Sequence, residues 1–220
     1  MQGPSQAGTV YEPDVSGQLT YLHVFAQYIE SNDGAEPYGG LVIDSSGNLY
    51  GTTLAGGGGG EGTAYVVNPG GGYRIIYNFG LHGGYPYSGP ILDSEGNLYG
   101  TTEYGGTFNA GVVYMLTQSG TETVLYNFTG GADGGRPYGG LAFDAAGNLY
   151  GTTFYGGAAN KGVVYEVNTS GQETVLHSFA GGADGGYSWG GVTLDVAGNV
   201  FGTASDGGKL GGGVVFKLSP

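Results

Sequence analysis

The stretch Gly139-Gly-Leu-Ala-Phe-Asp-Ala-Ala-Gly-Asn-Leu-Tyr-Gly-Thr-Thr153 decides the fold. It reads as two short apolar or aromatic strands, Gly139 to Asp144 and Asn148 to Thr153. An Asp-x-x-Gly-Asn turn joins them, where Asp bonds nearby backbone N–H groups and Gly tolerates a positive φ. Downstream, GVVYEVN (Gly162 to Asn168) and ETVLHSF (Glu173 to Phe179) add two more β-branched segments of strand length. These are strand types a, b, c and d, in that order.

The unit recurs. Gly-Asn-Leu-Tyr-Gly begins at Gly47, Gly96 and Gly147 and returns as Gly-Asn-Val-Phe-Gly at Gly198, at spacings of 49, 51 and 51 residues. Four strands in about fifty residues is the size of one propeller blade. The expected fold is therefore all-β: a four-bladed β-propeller with four antiparallel strands per blade. Strand types run c and d at the start (Gly8 to Asp14, Leu19 to Phe25), then three full blades, then a, b and c (Gly191 to Asp195, Asn199 to Thr203, Gly213 to Leu218). The last blade is expected to close by strands from both termini, with Leu19 to Phe25 beside the C-terminal strands, since closure removes open sheet edges. Gly8 to Tyr11 is then spare, because Pro13 cannot donate to a central ladder. On this reading residues 1–18 are an N-terminal extension and 19–220 a single propeller domain, with residues 8–14 available for strand exchange with another molecule.

Composition supports a turn-rich β chain. Among 220 residues there are 52 Gly and 19 Tyr but no Cys, and Gly disfavours helix interiors. With 8 Pro and no Gly-X-Y period, collagen is excluded. Five Lys and Arg against 18 Asp and Glu give a net charge of −13, which argues against nucleic acid or an anionic membrane surface as partner. No apolar run reaches membrane-span length, so membrane insertion is not expected. The expected location is extracellular or cell-surface, with the secretion signal outside the given stretch, since no charged-then-apolar run opens it.

The run GGLxxD, GNLYGTT, GVVYxV has the register of NHL-type propeller blades. More closely, Asp-Gly-Gly-x-Pro-Tyr-Gly-Gly-Leu, then Asp-x-x-Gly-Asn-Leu-Tyr-Gly-Thr-Thr, then Gly-Val-Val-Tyr, resembles the GloVer tandem repeat over nearly the whole chain from Leu19. The resemblance implies a bacterial, often surface-associated repeat protein. It brings no catalytic residue with it.

The d-to-a and b-to-c connections are the longer ones and share one face, where function is commonly built on a rigid scaffold. Tyr38, Tyr87, Tyr138 and Trp189 occupy one equivalent position there, with Tyr85, Tyr104, Tyr155 and Tyr187 nearby. Asp33, Asp133, Asp184, Asp206, Asn109 and Asn160 interleave with them. Aromatic faces beside hydrogen-bonding groups suit sugar rings. The plainer reading is that the Tyr38 series plugs the channel mouth and packs between blades. Asp44, Asp93, Asp144 and Asp195 are turn formers rather than calcium ligands, since each loop offers one carboxylate.

The leading expectation is a non-catalytic binding module for carbohydrate or a cell-surface protein partner, through Tyr38, Tyr87, Tyr138, Trp189, Tyr104, Tyr155, Asp33, Asp133, Asp184, Asn109 and Asn160. Residues that break the repeat suggest another: His82, Glu103 and Arg136 as the catalytic set of a lyase or hydrolase acting on an acidic glycan, if they converge. A third is a structural or assembly propeller without ligand. His23 and His177 align with Tyr77 and Tyr126 in strand d and read as packing residues. No metal-ligand spacing, nucleophile elbow or phosphate loop is present, so no metal or cofactor is expected.

Overall fold

A computed structural model describes residues 7–26, 32–80 and 82–220. Residues 1–6 of the expected N-terminal extension, Ser31 at the start of one long loop, and Leu81 of the next lie outside the described residues. The chain is all-β. In order, β1 (Thr9–Pro13) pairs β2 (Leu19–Val24), and the two-residue β3 (Gly34–Ala35) meets β6 (Ala55–Gly56). The first four-stranded antiparallel sheet is β4 (Val42–Ile43), β5 (Leu49–Thr53), β7 (Thr63–Val67) and β8 (Tyr73–Asn78). The second is β9 (Ile91–Leu92), β10 (Leu98–Thr102), β11 (Val112–Leu116) and β12 (Glu122–Asn127). The third is β13 (Ala142–Phe143), β14 (Leu149–Thr152), β15 (Val163–Val167) and β16 (Glu173–Ser178). A three-stranded sheet of β17 (Thr193–Leu194), β18 (Val200–Ala204) and β19 (Val214–Leu218) follows.

The a, b, c, d order thus holds in each full unit, and the expected closure does not. β2 pairs with β1, not with β19, and among the described residues β19 pairs only with β18. The strand assigned as spare is a paired one. Pro13 is the last residue of β1, opposite Leu19, and among the described residues β1 pairs with β2 alone, so its other edge is open and tolerates a residue without an N–H.

The signature Leu-Tyr-Gly-Thr-Thr is legible atom by atom. Leu98 is fully buried. Tyr99 OH donates to Asp93 Oδ2 at 3.0 Å, tying strand b to the turn before it. Gly100 lies opposite Tyr114 of β11, and a Cβ there would overlap the Tyr114 hydroxyl, so the ring crosses the strand only over glycine. Thr101 Oγ1 donates to Gly139 O of the next unit at 3.2 Å, as Thr52 does to Ser88 O and Thr152 to Gly190 O, both at 2.8 Å. Thr102 Oγ1 donates to Tyr104 O at 2.8 Å and fixes the outgoing loop. The Asp turn is equally closed: Asp93 Oδ1 accepts from Glu95 N and Asn97 N, and Oδ2 from Asn97 Nδ2 and Tyr99 OH.

The core lies between sheets. Phe25, Phe79, Phe128 and Phe179 end each strand d and are essentially fully buried, the first three against Tyr65, Tyr114 and Tyr165 of the next unit. In the fourth copy Phe216 replaces that tyrosine and meets Phe179 with ring centroids 5.4 Å apart.

Candidate functional site

The four d-to-a loops, Asp33-Gly-Ala-Glu-Pro-Tyr38, His82-Gly-Gly-Tyr-Pro-Tyr87, Asp133-Gly-Gly-Arg-Pro-Tyr138 and Asp184-Gly-Gly-Tyr-Ser-Trp189, are held by the same backbone bonds. The x residues Glu36, Tyr85, Arg136 and Tyr187 all have left-handed backbone, with φ of 60, 60, 53 and 57°. Their N–H groups donate to Ala7 O, Glu61 O, Ala110 O and Lys161 O at 2.7–2.8 Å. Their carbonyls accept from Leu54, Glu103, Phe154 and Ser205 N at 2.9–3.2 Å. A left-handed conformation costs a non-glycine residue of order 1–2 kcal/mol. The backbone is therefore constant and strained, while the side chains it presents change from unit to unit.

The repeated carboxylates hold this loop from within. Asp33 Oδ2 lies 3.1 Å from His23 Nε2 and accepts from Ala26 N at 3.1 Å. Asp133 accepts from Tyr126 OH at 3.0 Å, from Thr129 N at 2.7 Å and from the Thr129 hydroxyl. Asp184 lies 3.1 Å from His177 Nε2 and accepts from Ala180 N at 2.7 Å. The second loop has His82 in place of Asp, and the acid comes from the next unit: Tyr77 OH donates to Glu122 Oε2 at 2.7 Å, with His82 Nδ1 3.5 Å from the same oxygen. Asn109 and Asn160 also serve the scaffold. Both have φ of 53°, and their Oδ1 atoms accept from Gly105 N at 3.0 Å and Gly156 N at 2.9 Å.

The aromatic residues come together. Tyr38 and Tyr87 have ring centroids 6.2 Å apart, Tyr87 and Tyr138 4.8 Å, and Tyr138 and Trp189 4.6 Å and nearly parallel. Phe154 joins Tyr138, Tyr155, Tyr187 and Trp189, all within 5.3 Å. Tyr138 is buried, whereas Tyr38 is 67% and Trp189 53% exposed. Packing thus accounts for Tyr138 and leaves the outer rings open to a partner. Tyr85 and Tyr104 line a cavity of about 410 Å³ with Glu61, Gly80, Gly105 and Asn109.

Of the residues proposed for catalysis, two meet. Arg136 Nη1 is 3.5 Å from Glu103 Oε1, and Tyr138 OH donates to that oxygen at 2.7 Å. The Arg136 guanidinium lies 4.6 Å from the Tyr104 ring centroid and 5.5 Å from that of Tyr155. His82 stands apart, 77% exposed beside Glu122, in a pocket with Gly106, Thr107, Val124 and Asn127. Burial, and then the Glu103 carboxylate, push the Tyr138 phenol well above its ordinary range, as they do more mildly for Tyr104, so these hydroxyls remain donors at neutral pH. Sequence reasoning missed Phe154 and Lys161. Lys161 Nζ lies 4.2 Å from the Tyr187 ring centroid, donates to Tyr187 OH at 3.1 Å and is 3.6 Å from Asp206. Each stands at a loop position that carries a different residue in every unit, Leu54, Glu103, Phe154 and Ser205 at one and Glu61, Ala110, Lys161 and Gly212 at the other, so neither stood out there.

The profile of the Gloeobacter/Verrucomicrobia repeat matches residues 86–220. The chain belongs to that repeat family. Among solved structures, the family member resembles a protein assigned as a gluconolactonase, at 19% identity and a TM-score of 0.54, with 96% of this chain aligned to 71% of that one. It also resembles the extracellular domain of a one-component system from B. thetaiotaomicron, at 14% identity and a TM-score of 0.58. There 95% of this chain spans only 25% of the other. At these identities the likeness shows a propeller-like fold. No curated protein matches the chain.

Proposed function

We propose that this repeat protein is a binding module of four units, working outside the cell, that takes carbohydrate on its loop face. The observation that carries the reading is the continuous run of rings from Tyr38 through Tyr87, Tyr138 and Trp189 to Phe154 and Tyr187, exposed at Tyr38 and Trp189. Exposed contiguous apolar surface on a soluble domain marks an interaction site, and stacked rings bordered by Glu103, Arg136, Lys161 and Asp206 offer C–H packing with directional bonds. The separation of His82 from Glu103 and Arg136 favours binding over the three-residue catalytic scheme. Glycan-array screening of the chain and of Trp189→Ala tests it. A bound glycan whose signal falls several-fold, up to about tenfold, in the variant supports the reading, since one lost ring contact is worth ~0.5–1.5 kcal/mol. An array that is blank, or unchanged by the substitution, refutes it.

A further inference from the structure

On the loop face two cations sit on tyrosine rings, each beside an acid: Arg136 by Glu103 and Lys161 by Asp206. The whole chain has 5 Lys and Arg against 18 acidic residues, yet two of the five, Arg136 and Lys161, lie on tyrosine rings of adjoining units. The groups form a line: Tyr104, Arg136, Tyr155, Tyr187, Lys161. Arg136 bridges Tyr104 and Tyr155, Tyr155 meets Tyr187 with centroids 5.9 Å apart, and Tyr187 carries Lys161.

We infer that this line is the subsite row for a carboxylated polysaccharide, a polyuronate, with Arg136 as its carboxylate-reading group; the inference rests on the glycan reading above. Glu103 is 8% exposed and engaged by Tyr138 OH, so it steadies the guanidinium from the protein side at the long separation of 3.5 Å. The Arg136 side chain is 38% exposed, which leaves its guanidinium N–H donors to offer a ligand. Its planar fork matches a carboxylate in two-point contact, better than a point charge does. A uronic acid carries both features the line offers: a C–H face for Tyr104 or Tyr155, and a planar anion for Arg136. Lys161, 29% exposed, supplies a second cation further along for a later carboxylate of the same polymer. The side chain of Arg136 is presented from a left-handed backbone that its neutral counterparts Tyr85 and Tyr187 share, so the scaffold stays fixed while the residue sets the preference. The net charge of −13 opposes polyanions in general, so affinity for one has to come from this local set.

The test is affinity electrophoresis of the chain in gels containing polygalacturonate, neutral galactomannan or dextran sulfate, with melting curves for every variant. Polygalacturonate is expected to retard the protein most. Arg136→Gln should weaken that binding about tenfold or more, the loss of one charge-assisted pair, and Arg136→Lys should restore it only in part. Arg74→Gln changes the net charge equally, but Arg74 donates to Gln118 O away from the line, so it should bind as the parent does. Preference for galactomannan or dextran sulfate, or an Arg136→Gln variant that binds polygalacturonate like the parent, overturns the inference while leaving glycan binding in place. Retardation by none of the three polymers, joined with a blank array, removes both.

Discussion

Glu173, in the last strand of the third sheet, is a partly buried carboxyl that is costly to ionise. Burial, and then the neighbouring Asp133 charge, push Glu173 up to about 7 from 4.5. The folded state therefore holds a proton that the unfolded chain has released, and this contribution is complete below about pH 4.5 and lost as the pH rises to about 7. The turn carboxylates act oppositely. Hydrogen bonds from the Asn48 side chain and backbone hold Asp44 below 3.8; at Asp93 burial opposes, but Asn97 and backbone donors outweigh it. Their contribution is present above the unfolded value and lost as the pH falls below it. Melting temperature is thus expected to fall on both sides of mildly acidic pH, and Glu173→Gln should flatten the decline toward neutrality while leaving the acid limb. An unchanged neutral limb in the variant would contradict this assignment. The loop motif was plain in the sequence, but the direction of its Asp side chains was not. Asp33, Asp133 and Asp184 look like ligand groups until His23, Tyr126 and His177, seven to ten residues earlier, are seen to take them. The replacement of Asp by His82 hid the same network, because its acid comes from Glu122 in the following unit.

Strand content and order followed from the repeat, since each segment has strand length, β-branched residues and a turn at its end. Pairing at the ends did not, because two copies of strand c competed for one slot and Pro13 was weighed as if in a central ladder. At the end of a strand with one open edge that objection disappears. Val10 of β1 is 3% exposed and Phe25 after β2 is fully buried, packed with Tyr65 and Val67 of the next sheet. Removing residues 1–16 should therefore lower the melting temperature, because it strips β1 from β2 and uncovers that cluster; a truncated chain that melts with the parent would show β1 to be dispensable. Between sheets, Phe128→Ala should cost about 3–5 kcal/mol, the range for a fully buried phenylalanine, read from denaturant unfolding. Thr101→Val keeps the shape but removes the bond to Gly139 O, and a loss of about 1 kcal/mol is expected.

At the scale of the molecule, four near-identical loops on rigid sheets set different side chains on one backbone frame: Glu36, Tyr85, Arg136 and Tyr187 at one position, Leu54, Glu103, Phe154 and Ser205 at the next. The repeated a-to-b turns lie at the opposite ends of the strands, where the Asp44, Asp93, Asp144 and Asp195 carboxylates are consumed by their own backbone. The proposed binding surface follows the aromatic run on the loop face, from Tyr38 through Tyr87, Tyr138 and Trp189 to Phe154 and Tyr187. Trp189 is the sole tryptophan in the chain and lies half exposed in that run, 4.6 Å from Tyr138 and 4.7 Å from Phe154. Its fluorescence therefore reports directly on the proposed site. Titrating the protein with oligosaccharides of the polymer it binds should give a saturable change in Trp189 emission, with an affinity matching that from electrophoresis. Emission that stays constant while the glycan demonstrably binds would place the ligand elsewhere and contradict the loop-face site.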